Sequence, residues 1–221
     1  MSLWVRKMVE IELKYKIPDK DIADSIWHDP YLAEREEAMS RKELLFKSAY
    51  FDTDGGILAS NDIAFRVRTE GPRVVASLKW SGKNEGPLHT REEVNVPIDG
   101  EACLITPDPA IFLESEIGQH VMRLIDGKPL TNIIEVVFLR RSVRVDTGES
   151  IIEVSIDMGE IVADSGSLPI CELELELFSG NCDDLSRIGQ TLAEKYLLAP
   201  EEESKYARGL LLAGKQPFSA S

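Results

Sequence analysis

Apolar and polar residues alternate without a break over residues 9–17, "VEIELKYKI", near the start of the chain. Glu10, Glu12 and Lys14 fall on one side of this pattern, and the apolar residues between them fall on the other. A period of two is typical of a β-strand with one apolar face and one polar face. The sequence therefore predicts an opening strand whose polar face carries two acids followed by a base.

Seven further segments have the spacing of strands, and turn residues rich in Gly, Pro and Asp separate them. In chain order they are "ELLFKSAYFDT", "DIAFRVRTE", "RVVASLKW", "TREEVNVPI", "NIIEVVFLRRSVRV", "SIIEVSIDMG" and "CELELELFSG". Strands joined by short turns pair as antiparallel hairpins. Together with the opening strand, these segments predict an eight-stranded antiparallel sheet.

Helical spacing of apolar residues marks the segments between and after these strands. The predicted helices cover residues 18–29, 31–39, 107–125, 181–198 and 200–212. Asn181 is a favourable N-cap, and Pro200 suits the first turn of a helix. We therefore expect an α+β protein whose helices cover one face of the sheet.

The length and composition of the chain indicate one globular domain. It has 221 residues, of which 43% are hydrophobic, enough to build a core. We assign residues 8–215 to a single domain, and residues 1–7 and 216–221 to terminal extensions. The sequence has no apolar run of membrane-spanning length and no basic-then-apolar leader, so we expect a cytoplasmic protein.

The chain carries a strong negative charge, because 39 Asp and Glu residues outnumber 25 Lys and Arg residues and give −14 at pH 7. A field of this sign repels nucleic acid and anionic membranes at long range, so we expect neither as a partner. An anionic small molecule could bind only where clustered bases or a bound cation hold it. The chain could also form a homodimer, which the sequence does not decide.

The three cysteines are Cys103, Cys171 and Cys182. Their number is odd, their spacing is wide, and none forms a CxxC pair. This pattern argues against a disulfide framework and against a zinc knuckle. We interpret all three as packing residues.

Charged residues recur on one face of several predicted strands. The sets that share a face are Glu10, Glu12 and Lys14; Arg66 and Arg68; Ser77 and Lys79; Arg91, Glu93 and Asn95; Arg140 and Arg144; Glu153, Ser155 and Asp157; and Glu172, Glu174 and Glu176. For any single strand, a solvated outer face is the simpler explanation. Acids cluster on some strands and arginines on others, however, and an inward, ligand-binding face explains that segregation better.

Closing eight strands makes a barrel whose interior can hold one small ligand. Acids that point inward would repel one another unless they were protonated or neutralised by cations. The histidines His28, His89 and His120 are isolated in predicted loops or helices, and we assign them no role. Carboxylates without His or Cys partners suit Mg²⁺ or Mn²⁺, and arginines facing them suit phosphoryl groups. The sequence thus predicts a β-barrel with a polar, charged interior that binds a chain of phosphates.

The opening motif "EIELK" resembles the ExExK signature of CYTH proteins, the triphosphate tunnel metalloenzymes, a superfamily that includes class IV adenylyl cyclases and thiamine triphosphatases. Further segments match the family in order: "YFDT", "FRVR", "SLK", "REE", "IEVSIDMGEI", "ELELEL" and "SKYARG". The resemblance covers nearly the whole chain. It implies an eight-stranded antiparallel tunnel in which acids of the first and last strands bind Mg²⁺ or Mn²⁺ and bases bind a triphosphate.

The resemblance also implies roles for individual residues. The metal ligands it implies are Glu10, Glu12, Glu172, Glu174 and Glu176, and we add Asp157. The residues it implies for phosphate oxygens are Lys14, Arg66, Arg68, Lys79, Arg91, Arg140 and Lys205. Glu10, Glu12, Lys14, Glu172 and Glu174 are the catalytic candidates. Glu93 and Glu153 could contact metal, orient a water or pair with an arginine.

Some of these assignments rest on parity alone, that is, on whether a residue falls among the charged or the apolar alternate positions of its strand. We choose Arg140 over its neighbour Arg141 on this ground, and we place Arg73 and Arg35 off the charged face. Lys205 lies on the last predicted helix. The resemblance implies that it reaches the substrate, so we expect that helix to close one end of the tunnel and to become ordered with ligand.

The activity that the resemblance favours is metal-dependent hydrolysis of a triphosphate, most simply inorganic tripolyphosphate. A metal-oriented water would attack in line while metal and arginines neutralise the transferring phosphoryl group. The alternatives are a class IV adenylyl cyclase, a thiamine triphosphatase, or a non-catalytic module that binds polyphosphate or nucleotide. A cyclase needs a site for the base, and Trp80, next to Lys79, has the parity of the apolar face.

Overall fold

The structure is a computed structural model that describes residues 7–98 and 107–216. Eight long strands coincide with the eight segments whose alternation predicts them. They are β1 (Lys7–Lys16), β2 (Lys42–Asp52), β3 (Ala64–Glu70), β4 (Arg73–Glu85), β5 (Leu88–Ile98), β6 (Thr131–Asp146), β7 (Ile151–Ala163) and β8 (Gly166–Ser179).

The eight strands form one closed antiparallel barrel. Their order is β5-β4-β3-β2-β6-β7-β8-β1, and β1 also pairs with β5, which closes the sheet on itself. A two-residue strand, β9 (Ala199–Pro200), pairs with the end of β1. The predicted eight-stranded antiparallel barrel is therefore confirmed.

Five helices flank the barrel in the part of the chain that the structure describes. They are α1 (Lys20–Trp27), α2 (Pro30–Ala33), α3 (Glu116–Ile125), α4 (Cys182–Tyr196) and α5 (Lys205–Leu212). None of the helices within residues 7–98 and 107–216 is long and apolar enough to cross a bilayer.

Three helix boundaries differ from the prediction. The second helix ends at Ala33, because the following segment approaches β6, where Glu36 forms an isolated bridge with Val145. The crossover segment begins with a 3₁₀ turn, and α3 starts only after Ser115, whose hydroxyl accepts a hydrogen bond from the amide of Gly118 at 3.0 Å.

The last helix also begins later than predicted. Pro200 belongs to β9 and pairs with Tyr15 instead of opening a helix. The N-cap is Ser204, whose hydroxyl accepts a hydrogen bond from the amide of Ala207 at 3.1 Å. This shift makes Lys205 the first residue of α5, with consequences for the site described below.

Most of the hydrophobic core lies outside the barrel, between the strands and the helices. Around α1 and α4, a large cluster contains Leu13 of β1, Leu173 and Leu175 of β8, and Leu185 of α4. Gly189 lets α4 approach β1 closely, since a Cβ at this position would lie 2.4 Å from the side chain of Leu13. The apolar parity of the strands thus faces the helices, and the opposite parity faces the barrel interior.

Helix α3 covers the barrel in the same way. Val121 and Ile125 of α3 pack with Phe65 of β3 in a second cluster. Helix α5 packs differently, because Tyr206 and Leu210 are buried against inward-facing residues of β2 and β6, such as Tyr50, which lines the cavity.

The cysteines do not share one environment. Cys171 is partly buried and packs against the cluster around α4, as a packing residue should. Cys182 is exposed at the start of α4, so the packing interpretation is wrong there. Cys103 lies outside the described residues.

Candidate active site in the barrel cavity

A cavity of about 430 Å³ occupies the interior of the barrel. The predicted site residues that line it are Glu10, Glu12, Lys14, Arg66, Arg68, Lys79, Arg91, Glu93, Arg140, Glu153, Glu174, Glu176 and Lys205. They come from seven of the strands and from α5. Two predicted metal ligands, Asp157 and Glu172, are not among the residues that line it.

The register of the strands explains why these side chains meet. Glu12 of β1 pairs with Glu176 of β8, and Lys14 pairs with Glu174 two residues further on. Across the seam that closes the barrel, Glu10 pairs with Arg91 of β5. Since alternate residues of a strand point to the same side, one register places all six side chains in the interior.

The carboxyl groups of β1 and β8 are not neutralised equally. Burial raises the pKa of Glu12 to about 7, the charges of Glu10 and Glu174 add to this effect, and Lys14 offsets only part of it. Burial together with Glu10 and Glu12 likewise raises the pKa of Glu176 to about 7. Two buried carboxyl groups near neutrality lack enough positive charge to hold both ionised.

Glu10 is the exception in this group. Burial opposes its ionisation, but the ammonium of Lys79 lies 2.6 and 2.8 Å from its two oxygens and lowers its pKa to about 2. A divalent cation bound among Glu10, Glu12 and Glu176 would supply the missing positive charge. The donor set is carboxylate oxygen, which Mg²⁺ and Mn²⁺ prefer, so the residues fit such an ion.

Glu174 is held by several cations at once. Lys14 donates to one of its oxygens at 2.5 Å, and the ammonium of Lys205 lies 2.9 Å from the same oxygen. Arg140 contacts the other oxygen. Although burial opposes ionisation, these charges keep the pKa of Glu174 well below its usual range. Glu174 is therefore ionised without any metal.

Arg140 points into the cavity and Arg141 points away from it, as parity predicts. Arg140 donates two hydrogen bonds of 2.6 Å to Asp157, one to each carboxylate oxygen. Arg141 instead donates to Asp24 at 2.7 Å and lies over the ring of Trp27 on the outer surface.

Arg66 and Lys79 share the acid Glu93 on the β3–β5 side of the cavity. Arg66 donates to Glu93 at 3.4 Å and to the hydroxyl of Ser77 at 3.1 Å. The ammonium of Lys79 lies 3.5 Å from Glu93 in addition to its bond with Glu10. Arg91 forms no ion pair with any described residue. This side of the cavity is therefore richer in cations than in acids.

Arg68 is, like Arg91, a weakly neutralised cation of the cavity. Its Nε donates to the hydroxyl of Ser48 at 3.0 Å, and its nearest carboxylate, on Glu70, is 3.9 Å away. Burial and the charge of Arg66 and Arg140 lower its pKa to about 10. An anion bound here would relieve that repulsion.

A stacked pair of aromatic rings supports the arginines. The rings of Phe46 and Phe138 lie 5.3 Å apart with an angle of 10° between their planes. The Arg68 guanidinium lies 5.2 Å from the centre of the Phe46 ring, and that of Arg140 lies 5.3 Å from it. Aromatic faces attract cations without cancelling their charge, so Arg68, which has no close carboxylate, keeps charge available for a ligand.

Asp157 and Glu172 lie behind the cavity wall at the α5 end of the barrel. Both are buried almost completely. Lys205 lies 2.7 Å from Asp157 and also contacts Glu172. Arg208 donates to Glu172 at 2.7 Å. These two acids are thus paired with cations of α5, whereas Glu10, Glu12 and Glu176 face the cavity.

Parity was misjudged for Arg73. It has the same parity as Ser77 and Lys79 in β4, and the structure places it in the lining of the cavity, so its assignment off the charged face is wrong. Arg35 lies outside the cavity, over the ring of Tyr31, as expected.

His89 was also misplaced. It lies in β5, buried, and lines the cavity. Its Nε2 is 2.8 Å from the carbonyl oxygen of Glu201, and its Nδ1 has no hydrogen-bond partner among the described residues. Burial, with the charge of Lys14 acting in the same direction, lowers its pKa to about 4, so the ring is neutral at pH 7. Extending the predicted strand by one residue reveals the inward parity of His89, which it shares with Arg91.

Two aromatic residues of the cavity escaped the sequence patterns, whereas the polar Asn95 lines the cavity as its place on the charged face predicts. Tyr50 and Tyr206 line the cavity, and their rings stack with centres 5.0 Å apart. Asn95 accepts a hydrogen bond of 2.5 Å from Ser77. Trp80, in contrast, packs outside the barrel with the cluster around α3, in accord with its parity.

Comparison with known proteins relates this geometry to a family. The family model of the CYTH domain matches residues 8–210. Over 207 residues, the chain is 32% identical to a protein of Haemophilus influenzae described as an inorganic triphosphatase; the match covers 94% of this chain and 56% of that protein. The chain thus spans about half the length of this curated relative.

Two solved structures share the fold. A Hippeastrum protein, an adenylyl cyclase candidate described as having a dominant triphosphatase activity, superimposes with a TM-score of 0.68 and 22% identity, covering 93% of this chain and 96% of its own. An adenylate cyclase candidate from Bacillus halodurans gives a TM-score of 0.56 at 17% identity, covering 91% and 97% respectively. Both share the closed barrel, and the family model matches nearly all of the described residues; the chain belongs to the CYTH domain family.

Proposed function

We propose that this chain hydrolyses a triphosphate with the help of Mg²⁺ or Mn²⁺, and that inorganic tripolyphosphate is the substrate. The observation that carries the proposal is the division of one cavity into two unbalanced halves. Carboxyl groups lacking positive charge lie along β1 and β8, and cations lacking a close carboxylate, Arg68 and Arg91, lie along β3 and β5. A metal ion together with a polyphosphate anion balances both halves.

The residues that would hold the metal are Glu10, Glu12 and Glu176. Glu174 lies next to them but is already bonded to Lys14. When bound, the divalent ion would neutralise phosphate charge and orient the attacking water. Holding the ion would require Glu12 and Glu176 to lose the protons that their raised pKa values retain.

The residues that would bind the phosphate oxygens are Arg66, Arg68, Lys79, Arg91 and Arg140. Guanidinium groups form paired hydrogen bonds to phosphate, and Arg68 and Arg91 have little else to bind among the described residues. Charge that spreads over a transferring phosphoryl group is stabilised by such preorganised donors. Cleavage of a phosphoanhydride by water then needs no covalent intermediate with the protein.

Inorganic tripolyphosphate requires the fewest additional contacts. The cavity offers charged and polar groups in abundance, and Trp80, the residue considered for stacking on a base, lies outside the barrel. The similarity to a relative described as an inorganic triphosphatase supports the same choice. A cyclase remains the second candidate, since adenylyl cyclase candidates share the fold.

The candidates are separated by one panel of substrates. Purified protein is incubated with tripolyphosphate, ATP or thiamine triphosphate, with Mg²⁺, Mn²⁺ or a chelator, and the products are identified. The proposal expects pyrophosphate and orthophosphate from tripolyphosphate, fastest among the three substrates and only with metal. Cyclic AMP from ATP would favour the cyclase, and binding without turnover of any substrate would favour a non-catalytic module.

A further inference from the structure

Lys205 places its ammonium group inside a cluster of three buried carboxylates. Its Nζ lies 2.7 Å from Asp157 and 2.9 Å from Glu174, and it also contacts Glu172. The cluster sits where α5 meets β7 and β8. All four residues are at least 93% buried.

The carboxylates have the spacing of a metal site. One oxygen from each of Asp157, Glu172 and Glu174 lies within 4.8 Å of the others. Three converging carboxylates are a typical ligand set for Mg²⁺ or Mn²⁺. Here the ammonium group of Lys205 neutralises the negative charge that would otherwise attract a metal.

Asp157, Glu172 and Glu174 are bonded to more protein cations than Glu12 and Glu176 are. Besides Lys205, Arg140 bonds to Asp157, and Arg208 bonds to Glu172. Among the described residues, Glu12 forms one ion pair, with Lys14 at 3.0 Å, and Glu176 forms none. The barrel therefore contains two clusters of acidic side chains. Protein cations neutralise the Asp157–Glu172–Glu174 cluster, whereas the Glu12–Glu176 pair lacks enough positive charge.

The position of Lys205 is fixed by its surroundings. The neighbouring Ser204 caps α5, and the ring of Tyr206 stacks on Tyr50. Gly209 lets the helix lie against Ile134, because a Cβ there would come within 2.7 Å of that side chain. A lysine at the first position of a helix anchored in this way has little freedom to leave the carboxylates.

We propose that Lys205 is a built-in cation that takes the place of a divalent ion in the Asp157–Glu172–Glu174 cluster. Metal is then confined to the Glu10–Glu12–Glu176 side of the cavity, and Lys205 sets how many ions the barrel holds. This inference rests on the proposed metal-dependent function, and it assigns Asp157 and Glu172 to Lys205 instead of to metal.

The test is the number of Mn²⁺ ions bound per chain, measured by equilibrium titration and electron paramagnetic resonance. Lys205→Met removes the ammonium and keeps a side chain of similar length, so the variant should bind about one more Mn²⁺ than the wild type. Adding Asp157→Asn to that variant should abolish the extra ion. Lys195→Met is the matched control, since Lys195 also bonds a buried acid, Asp29, but only one, and the count should not change.

A folded Lys205→Met protein that binds no more Mn²⁺ than the wild type would overturn the inference. If circular dichroism shows that this variant does not fold, Asp157→Asn in the otherwise unchanged protein decides instead. An unchanged Mn²⁺ count supports the inference, and loss of an ion contradicts it. A wild-type protein that binds no Mn²⁺ would refute the proposed metal-dependent function, while the difference between wild type and Lys205→Met still decides the role of Lys205.

Discussion

Glu12 of β1 lies directly opposite Glu176 of β8 inside the barrel, and both carboxyl groups have a pKa raised to about 7. Pairing two acids across adjacent strands is unfavourable in an ordinary sheet. In this barrel the arrangement becomes favourable when a divalent cation lies between the carboxylates. The metal-free protein should therefore show the cost of this pair, and the metal-bound protein should not.

The first prediction concerns the stability of the metal-free protein. The folded-state pKa values of Glu12 and Glu176 lie above the usual 4.5, so the folded protein holds more protons than the unfolded chain between about pH 4.5 and pH 7. Its free energy of unfolding should fall as pH rises through this window. Thermal melting in a chelator at pH 5, 6, 7 and 8 measures this trend.

Metal should reverse the effect at the upper end of that range. At pH 8, adding Mn²⁺ should raise the melting temperature, whereas at pH 5, where the carboxyl groups keep their protons, it should do little. Melting curves that are equally sensitive to Mn²⁺ at both pH values would show that these two acids do not bind the ion.

The second prediction is that Glu12→Gln separates stability from activity. Replacing one carboxylate by an amide removes repulsion from the metal-free protein, which should become more stable at pH 8 by up to about 3 kcal/mol. Turnover should be lost because a metal ligand is missing. Glu92→Gln is the control, since Glu92 pairs with Lys7 and does not line the cavity. A less stable, fully active Glu12→Gln protein would refute the assignment.

The third prediction concerns Arg68. Its removal leaves no nearby carboxylate without a partner, so Arg68→Ala should cost little stability. The variant should bind tripolyphosphate roughly 10- to 150-fold more weakly, because a charge-assisted contact is worth about 1.5–3 kcal/mol. Binding is measured by calorimetry with a chelator and then with metal. Arg35→Ala is the matched control on the outer surface. Equal binding by the two variants would remove Arg68 from the site.

The fourth prediction tests the aromatic pair beneath the arginines. Phe46→Leu removes a ring that lies near both Arg68 and Arg140. Cation–π contacts are worth about 0.5–2 kcal/mol, so the KM of the variant should rise by roughly 2- to 30-fold. Mn²⁺ affinity should stay the same, because no metal ligand is touched. A purely structural role for the ring would lower the amount of folded enzyme and leave KM unchanged.

The control for Phe46 is Phe178, an exposed ring that lies 4.5 Å from Arg144; neither residue lines the cavity. Phe178→Leu breaks the same kind of contact between residues that do not line the cavity, so its KM should equal that of the wild type. If both variants change KM alike, the effect of Phe46 does not come from the arginines of the cavity.

Strand periodicity predicts much of this architecture, because each strand has one apolar and one charged face. That alternation is local, and it is enough to place Glu10, Glu12 and Lys14 on one side of β1 and to select Arg140 over Arg141. It fails where an element boundary is misplaced. His89 was missed because the predicted strand began at Thr90, and Arg73 was misjudged at the far end of β4.

What the sequence could not predict depends on contacts between distant elements. Asp157 and Glu172 share the charged parity, and no local pattern shows that cations of α5 reach them. Lys205 lies 48 residues from Asp157 along the chain. Its placement follows from the helix start at Ser204, which the proline at 200 obscured. The division of the acids into a lysine-filled group and an under-neutralised group is therefore a property of the fold.

The measurement that tests the central claim most directly is ³¹P NMR of tripolyphosphate incubated with the purified protein. With Mn²⁺ or Mg²⁺ present, the account predicts that the tripolyphosphate signals decay while pyrophosphate and orthophosphate appear in equal amounts, and that a chelator or Glu12→Gln stops the reaction. Tripolyphosphate that persists in the presence of metal, or that is cleaved equally fast by the wild type in the chelator, would contradict a metal-dependent triphosphatase in this barrel.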